Sequence, residues 1–292
     1  MGLQTPVKQT AFPIVWMPET IEEAWEMKKK TVGAVFVAGG TVIQMRREQG
    51  VSQATHLISL TNIEQLKMIN DGDTLLEIGS LCVLSDCLKA SAIKAEVPLL
   101  IKAIASIAAP AVRNRGTIGG NVTYRQGDAI PVMVALDADA VIYSDNGYEC
   151  ISVAEYVENL EPSILLAVRF RKEKPTKAKF IYEKVGRREA FTLSLLTIAC
   201  VVELDGAVLK QIKLAIGGGD MIPQRLTEIE NVLTGAPLTE ELLTVAYSRF
   251  KKAGVICTTP FATEEYVRTV LANIVVSSLE EFMKEEVRYG KD

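Results

Sequence analysis

The sequence predicts an α+β protein built from two domains. The first is expected over residues 1–175, where apolar runs and helical patterns alternate in a mixed order that suits mixed or antiparallel sheets. The second is expected over residues 178–292, where three strands precede three helices. Lys172–Lys177 separates the two because it is polar and contains a proline. We therefore expect a three-stranded antiparallel sheet and three helices in the C-terminal half.

The composition is that of an ordinary globular protein. The 292 residues are 48% hydrophobic and 23% charged, and this length suffices for two domains. The formal net charge of -4 argues against a nucleic-acid-binding surface. No apolar run reaches the length of a membrane span, and the N-terminus has no apolar signal core. We expect a cytoplasmic protein without nucleic-acid or membrane partners.

The residues present disfavour a metal site and nucleophilic catalysis. The five cysteines form no C-x-x-C pair, and His56 is the only histidine, so zinc, iron–sulfur and triad patterns are missing. Neither a nucleophile elbow nor a P-loop is found. We expect no catalytic side chain and no metal, and a redox reaction here would need a bound cofactor.

The N-terminal residues predict a glycine turn between a strand and a helix. Thr20–Glu23 is a capping box that predicts a helix through Lys30. Ala34–Ala38 predicts a buried strand and Thr41–Glu48 a helix, with Gly39-Gly40 as the turn between them. A helix N-terminus has free N–H groups and a partial positive charge, so this order predicts an anion site. A plain strand-to-helix corner explains the same residues equally well.

The other elements of the first half follow from apolar periodicity and turn residues. Strands are expected at His56–Leu60, Thr74–Gly79, Ala138–Ser144, Tyr148–Val153 and Ile164–Phe170, with Asp145-Asn146-Gly147 as a hairpin turn. Helices are expected at Leu84–Ala92, Leu99–Ala108 and from an N-cap at Asp128 through Leu136, and Pro110–Asn121 is expected to be a loop.

The second half is expected to contain strands followed by helices. The strands are predicted at Phe180–Val185, Thr192–Leu204 and Val208–Gly217, and the helices at Leu226–Leu233, Glu240–Ala253 and Ala262–Met283. Asp205-Gly206 is the turn between the second and third strands. This order is typical of an α+β domain.

A second glycine segment, Thr117–Asn121, reads Thr-Ile-Gly-Gly-Asn. Glycine lets a ligand approach the main chain, and the Thr and Asn add side-chain donors and acceptors, so such a segment can wrap a phosphate. Arg113 and Arg115 flank it and could face phosphates. Taken alone, the segment is more typical of a tight turn, and neither glycine segment is expected to belong to the core.

Five motifs, spread over nearly the whole chain, resemble in sequence order the FAD-binding (medium) subunit of the molybdenum hydroxylases, the family of xanthine dehydrogenase and aerobic carbon monoxide dehydrogenase. Ala38–Thr41 resembles the family's first FAD loop and Thr117–Asn121 its second. The others are Lys184–Glu189 near the start of the second domain, the Gly-Gly turn in Ala215–Gly219, and Thr263–Arg268 at the start of the last helix.

The resemblance implies a fold and a function. The fold would be a two-part FAD-binding domain of the PCMH type, followed by the family's C-terminal domain. FAD would be bound non-covalently and would pass electrons from an iron–sulfur subunit to NAD or another acceptor. The molybdenum cofactor and the [2Fe-2S] clusters would belong only to partner subunits, a large molybdenum subunit and a small iron–sulfur subunit.

The resemblance also implies which residues bind FAD. The pyrophosphate would be held by the first loop and the diphosphate or ribityl side by the second, with Ile118 against the flavin. Asp128 would lie near the nucleotide, and Lys184 would reach the flavin from the second domain. The full set is Ala38, Gly39, Gly40, Thr41, Val42, Thr117, Ile118, Gly119, Gly120, Asn121, Asp128 and Lys184.

Two other interpretations remain open. After Asn121 this chain is about two residues shorter than the family pattern, and Ile107 stands where the family has an aromatic residue near the ring. The chain could therefore be a scaffold subunit that has lost its flavin. It could also be a stand-alone FAD-dependent reductase of the same fold class, similar to UDP-N-acetylenolpyruvylglucosamine reductase.

Overall fold

The computed structural model describes residues 13–51, 54–172, 178–186, 194–254 and 261–289. Within them the chain forms three β-sheets with helices packed between and around them. Residues 173–177 of the expected boundary segment and residues 187–189 of the motif that begins at Lys184 lie outside the described residues.

The first sheet is small and parallel, with the strand order β1-β3-β2. Its core combines apolar residues from all three strands with Ile21, Ala24 and Trp25 of the first helix. The elements are β1 (Ile14–Trp16), α1 (Ile21–Lys30), β2 (Val35–Val37), α2 (Thr41–Glu48) and β3 (His56–Ser59).

The second sheet is antiparallel and five-stranded, with the order β4-β5-β8-β6-β7. A turn of 3-10 helix at Glu64–Lys67 precedes it. Its strands are β4 (Ile69–Asp71), β5 (Leu75–Gly79), β6 (Asp139–Ser144), β7 (Gly147–Ser152) and β8 (Ile164–Arg171). Its helices are α3 (Leu84–Cys87), α4 (Ser91–Glu96), α5 (Pro98–Ser106), α6 (Pro110–Arg113), α7 (Ile118–Thr123), α8 (Ile130–Ala135) and α9 (Val153–Glu158).

The third sheet is antiparallel with the order β12-β11-β10-β9, and a two-residue strand, β13, also pairs with β11. Its strands are β9 (Ala178–Gly186), β10 (Ser194–Asp205), β11 (Val208–Gly218), β12 (Met221–Arg225) and β13 (Ala236–Pro237). Three helices follow the long strands: α10 (Thr227–Leu233), α11 (Glu240–Phe250) and α12 (Glu264–Tyr289).

Local signals explain where several elements begin. The hydroxyl of Thr20 accepts the N–H of Glu23 at 3.1 Å, as the capping pattern predicts. The Glu23 carboxylate instead accepts the N–H of Glu19, so the box closes one residue earlier than expected. The predicted hairpin is confirmed, because Ser144 pairs with Gly147, whose φ of 85° suits the turn.

The expected three-stranded C-terminal sheet is wrong in its strand number. β12 and β13 were missed because each contains a proline, Pro223 or Pro237. Proline disfavours a strand assignment unless the strand is known to lie at a sheet edge. Among the described residues, both strands pair with β11 and with no other strand, so they lie at the edge of the sheet. An edge strand tolerates proline because a backbone N–H that points away from the sheet has no strand to bond.

Three expectations for the middle of the chain also need correction. The single helix expected at Leu84–Ala92 is two short helices, α3 and α4. The loop expected at Pro110–Asn121 contains α6 and the start of α7. Asp128 does not cap α8, whose N-cap residue is Ala129, because the Asp128 carboxylate binds side chains of the third sheet instead.

Helix α8 joins the two halves of the protein. All six of its residues are buried, and it packs on β10, β11 and β12. The facing residues of the third sheet are small: Ala199 and Ala215 are fully buried, and a Cβ on Gly217 would lie 2.8 Å from Pro131 Cγ. Helices α10 to α12 cover the opposite face of this sheet through a separate apolar cluster. Close packing of α8 therefore depends on small side chains opposite it.

A charged network lies at the C-terminal end of α8. The Glu230 carboxylate, 6% exposed, accepts Nε and Nη2 of Arg225 at 2.6 Å each and the N–H of Leu214 at 2.6 Å. Arg225 Nη1 also donates to the Asp137 carboxylate, and Lys213 Nζ lies 2.8 Å from Asp137 Oδ2. Three hydrogen bonds from two residues satisfy the buried Glu230 charge, and Asp137 connects the end of α8 to the third sheet.

Replacement of Glu230 should destabilise the fold strongly. Glu230→Ala leaves the Arg225 guanidinium without its bidentate partner and a buried N–H without its acceptor. We expect the free energy of unfolding to fall by about 3 kcal/mol in urea denaturation followed by circular dichroism. Glu228→Ala, at an exposed position of the same helix, is the control and should change it little. Equal effects of the two variants would contradict a structural role for the network.

Candidate functional site

The two glycine segments lie against each other in the fold. A Cβ on Gly39 would overlap the carbonyl oxygen of Arg115, so the two backbones are in direct contact there. Beside it, a Cβ on Gly116 would lie 3.7 Å from the Thr41 hydroxyl. Only a residue without a side chain permits such an approach at Gly39. Segments that are about 75 residues apart in the chain thus form one wall.

The first segment presents unused backbone donors. Gly40 is the N-cap of α2 with a left-handed φ of 72°, and the first helical hydrogen bond runs from Gln44 N–H to Gly40 O at 2.9 Å. The N–H groups of Thr41, Val42 and Ile43 precede that bond and have no acceptor among the described residues. They are the positive end of the helix dipole, which favours an anion.

The second segment is different, because protein acceptors take the N–H groups of its last four residues, Ile118 to Asn121. It is the N-cap and first turns of α7 and not a loop, so the expectation that its backbone wraps a phosphate does not match the hydrogen bonds. These run from Ile118 to Cys82 O at 2.9 Å, from Gly119 to Ser80 O at 2.9 Å, and from Gly120 and Asn121 to the hydroxyl and carbonyl of Thr117 at 3.0 Å each.

Gly119 and Ile118 belong to the core, contrary to the expectation for this segment. A Cβ on Gly119 would lie 2.5 Å from Ser80 Cβ and 2.6 Å from Ser80 O, so α7 packs directly on the residue that follows β5. Ile118 is fully buried in the core of the second sheet and does not line the cavity described next. Glycine at 119 is therefore required for packing in the protein itself.

A cavity of about 830 Å³ opens between the two segments. This volume is in the range of cofactor and ligand pockets. Its wall includes eleven of the twelve residues expected to bind a cofactor: Ala38, Gly39, Gly40, Thr41, Val42, Thr117, Gly119, Gly120, Asn121, Asp128 and Lys184. The remaining wall is largely apolar and includes Phe36, Leu60, Leu81, Ile107, Leu160, Ile164 and Leu165. Sequence reasoning identified Ile107 but missed the others.

At one side of the cavity Asp128 and Lys184 form a largely buried ion pair across the junction of the two halves. Lys184 Nζ lies 2.6 Å from Asp128 Oδ2, and the side chains are 13% and 12% exposed. The same carboxylate accepts the hydroxyls of Ser194 at 2.6 Å and Thr197 at 3.3 Å, while Lys184 also donates to Ser106 O at 3.1 Å. Lys184 is therefore neither a surface lysine nor an isolated cation.

Neither Arg113 nor Arg115, the two arginines that the sequence suggested could face phosphates, lines the cavity. Arg113 does not line the cavity; it donates to the carbonyls of Ile107 and Ala108 at 2.7 and 2.6 Å and holds the left-handed turn at Ala108, whose φ is 42°. Arg46 does line the cavity and stacks over the Tyr124 ring at 5.5 Å. Burial raises the pKa of Tyr124, and the nearby Arg46 charge opposes that rise.

Two negative observations apply to the described residues. No cluster of three His, Cys, Asp or Glu side chains there could hold a metal ion. None of the helices in that part of the chain combines the length and the apolar character that a membrane span requires.

Comparison with known proteins decides the family. Residues 8–170 match the family described as the FAD binding domain in molybdopterin dehydrogenase, and residues 180–282 match the carbon monoxide dehydrogenase flavoprotein C-terminal domain. The chain belongs to the family of FAD-binding subunits of molybdopterin dehydrogenases. It is thus an oxidoreductase subunit, and FAD is the cofactor of the domain that contains the cavity.

Individual members of this family are similar over most of the chain. The nicotinate dehydrogenase FAD-subunit of Eubacterium barkeri is 25% identical over 239 residues, covering 77% of this chain and 81% of that protein. The xanthine dehydrogenase FAD-binding subunit of Escherichia coli O157:H7 is also 25% identical, covering 77% and 80%. A solved structure of carbon monoxide dehydrogenase from Hydrogenophaga pseudoflava that lacks the Mo-pyranopterin moiety of the molybdenum cofactor has the same fold. The TM-score is 0.84 at 22% identity, and the match covers 94% of this chain and 98% of that chain.

Adjacent glycines in α7 should respond differently to the same substitution. Gly119→Ala places a Cβ against Ser80 and should lower the free energy of unfolding by about 2 kcal/mol through overpacking. Gly120→Ala is the matched control, since its Cβ would meet only the Thr117 hydroxyl, at 3.1 Å, and alanine favours the helix. Urea denaturation measures both. Similar stability of the two variants would show that α7 does not pack on Ser80 as described.

Proposed function

We propose that this chain is the FAD-carrying electron-transfer subunit of a molybdenum-containing hydroxylase resembling xanthine dehydrogenase. The observation that carries this proposal is the set of three N–H groups at the start of α2 that have no acceptor within the described part of the chain. Their residues line a largely apolar cavity next to a wall formed by glycines. This combination suits a long ligand that is anionic in its middle and aromatic at its ends. FAD supplies the redox chemistry when bound, and no side chain is proposed to be catalytic.

The residues of the cavity fit FAD in distinct ways. The N–H groups of Thr41, Val42 and Ile43 would donate to the diphosphate, where the Gly40 turn leaves the space above the backbone open. Thr117, Gly119, Gly120 and Asn121 would form the opposite wall. The N–H groups of Gly119, Gly120 and Asn121 already donate to protein acceptors, so this wall would contact the ligand mainly through its shape. Ala38 and Gly39 would let the chain pass close to the ligand, and Ile107 would pack against the ring.

The Asp128–Lys184 pair would set the charge near the flavin. Lys184 favours an anionic reduced ring, while Asp128 offsets most of that effect because the two charges are 2.6 Å apart. Both residues line the cavity, so removal of either one leaves a net charge in a poorly solvated place. The pair also links the two halves, which we propose as domains 1–175 and 178–292.

The names of the relatives suggest that this chain works with partner subunits. Several relatives are named as subunits, such as the nicotinate dehydrogenase FAD-subunit and the xanthine dehydrogenase FAD-binding subunit. We infer a small iron–sulfur subunit that delivers electrons and a large molybdenum subunit that oxidises the substrate, with NAD or another compound as acceptor, in the cytoplasm. A flavin-free scaffold and a stand-alone reductase are the alternatives. Purified protein without flavin supports the scaffold, flavin without partner subunits supports the reductase, and flavin with both partner subunits supports our proposal.

The first test is flavin content. The purified chain should carry about one FAD per polypeptide. Acid precipitation should release this FAD, because we propose that it is bound non-covalently. Gly40→Val should lose most of the flavin, since a branched side chain strains the left-handed turn and enters the cavity. Gly33→Val is the matched control: its φ of 79° gives similar strain, but it lies outside the cavity lining. Full flavin content in Gly40→Val would contradict the proposed site.

The second test is a redox titration of the ion pair. Lys184→Met should lower the midpoint potential of the flavin by about 20 mV, equivalent to about 1 kcal/mol for a two-electron couple. Asp128→Asn should raise it, and the double variant should lie near wild type, because the two charges offset each other. An unchanged potential in both single variants would place the ring away from this pair.

A further inference from the structure

Ser80 is a buried residue whose side chain has no protein partner. It directly follows β5, is 4% exposed and lines the cavity. Among the described residues, its hydroxyl oxygen is the one buried side-chain N or O atom without a hydrogen bond. A buried hydroxyl left unpaired destabilises a protein by about 1–3 kcal/mol. A serine in this state therefore requires a reason, and alanine would pack equally well.

The other buried polar side chains of the described residues have partners, which makes Ser80 the exception. The hydroxyl of Ser59 lies 2.8 Å from that of Thr61, and the hydroxyl of Thr117 accepts the N–H of Gly120. Ser194 and Thr197 both donate to Asp128, and Glu230 accepts Arg225. The fold thus satisfies buried polar groups where it can.

The backbone fixes Ser80 firmly at the cavity wall. Its N–H donates to Leu166 O at 2.8 Å, and its carbonyl accepts the Gly119 N–H at 2.9 Å. Gly119 packs on the Ser80 Cβ, so the serine side chain is held between β5 and α7. The neighbouring N–H groups of α7 are all used, which leaves the Ser80 hydroxyl as a polar group still available on this wall.

We propose that the Ser80 hydroxyl hydrogen-bonds an oxygen of the bound flavin nucleotide, either a ribityl hydroxyl or a phosphate oxygen. Ser80 would then be a further cofactor-positioning residue, opposite the N–H groups of α2. A hydroxyl is both donor and acceptor, so it can serve either oxygen. This inference rests on the proposed function, because it needs FAD in the cavity.

The test compares Ser80→Ala with the matched control Ser59→Ala in the full chain stripped of flavin. Ser80→Ala should raise the Kd for FAD about five- to tenfold, as expected for the loss of one hydrogen bond, and should leave the Tm of the stripped protein equal or higher. Ser59→Ala removes a hydroxyl that has a protein partner, so it should lower the Tm and leave the Kd for FAD unchanged. A ligand contact raises the Kd for FAD without lowering the Tm, whereas a packing effect lowers the Tm without changing the Kd.

Titrations with riboflavin and ADP locate the contact, because riboflavin has the ribityl hydroxyls but no phosphate. A weaker affinity of Ser80→Ala for riboflavin supports a ribityl hydroxyl, and a weaker affinity for ADP with unchanged affinity for riboflavin supports a phosphate oxygen. If wild type binds FAD and Ser80→Ala binds FAD as tightly, or binds both fragments as tightly, the inference is overturned while the proposed function stands. If wild type binds no FAD, the proposed function fails and the inference fails with it.

Discussion

The contact between Gly39 and the carbonyl of Arg115 is the constraint on which the site depends. It brings the turn before α2 against the turn before α7, although the two segments belong to different sheets. Any side chain at position 39 would push these backbones apart and move the free N–H groups of α2 away from the opposite wall. The cavity exists because two glycine turns meet. The turn before α2 supplies hydrogen-bond donors, and the turn before α7 packs against the protein core.

A second constraint keeps the far side of the cavity in place. Helix α8 is fully buried between the two halves, with Asp128 before it and Asp137 after it, and each carboxylate pairs with a cation of the third sheet. Ala199, Ala215 and Gly217 allow the helix to approach. The charge beside the proposed ring site and the junction of the two halves therefore depend on the same contacts, so a change at Asp128 should affect both.

The sequence predicted local features well and long-range contacts poorly. The Thr20 cap, the hairpin at Asp145-Asn146-Gly147 and helix α2 depend on neighbouring residues, and all three are confirmed. The expectation that Gly119 lies outside the core was wrong, because only the fold reveals that Ser80 lies against it. β12 was missed since Pro223 is tolerated only at an edge. Resemblance to the family, rather than periodicity, led us to expect Lys184 and Asp128 near the cofactor, but their ion pair was not predicted. No local pattern marks Ser80.

Amide hydrogen exchange with and without FAD tests the central claim most directly, namely that the first glycine segment donates to the cofactor while the second shapes the wall. The N–H groups of Thr41, Val42 and Ile43 should exchange fast without FAD and become protected when it is added. Those of Ile118 to Asn121 should be protected in both states, because they already donate to protein acceptors. Unchanged exchange at residues 41–43 with FAD bound, or new protection confined to residues 118–121, would contradict the account.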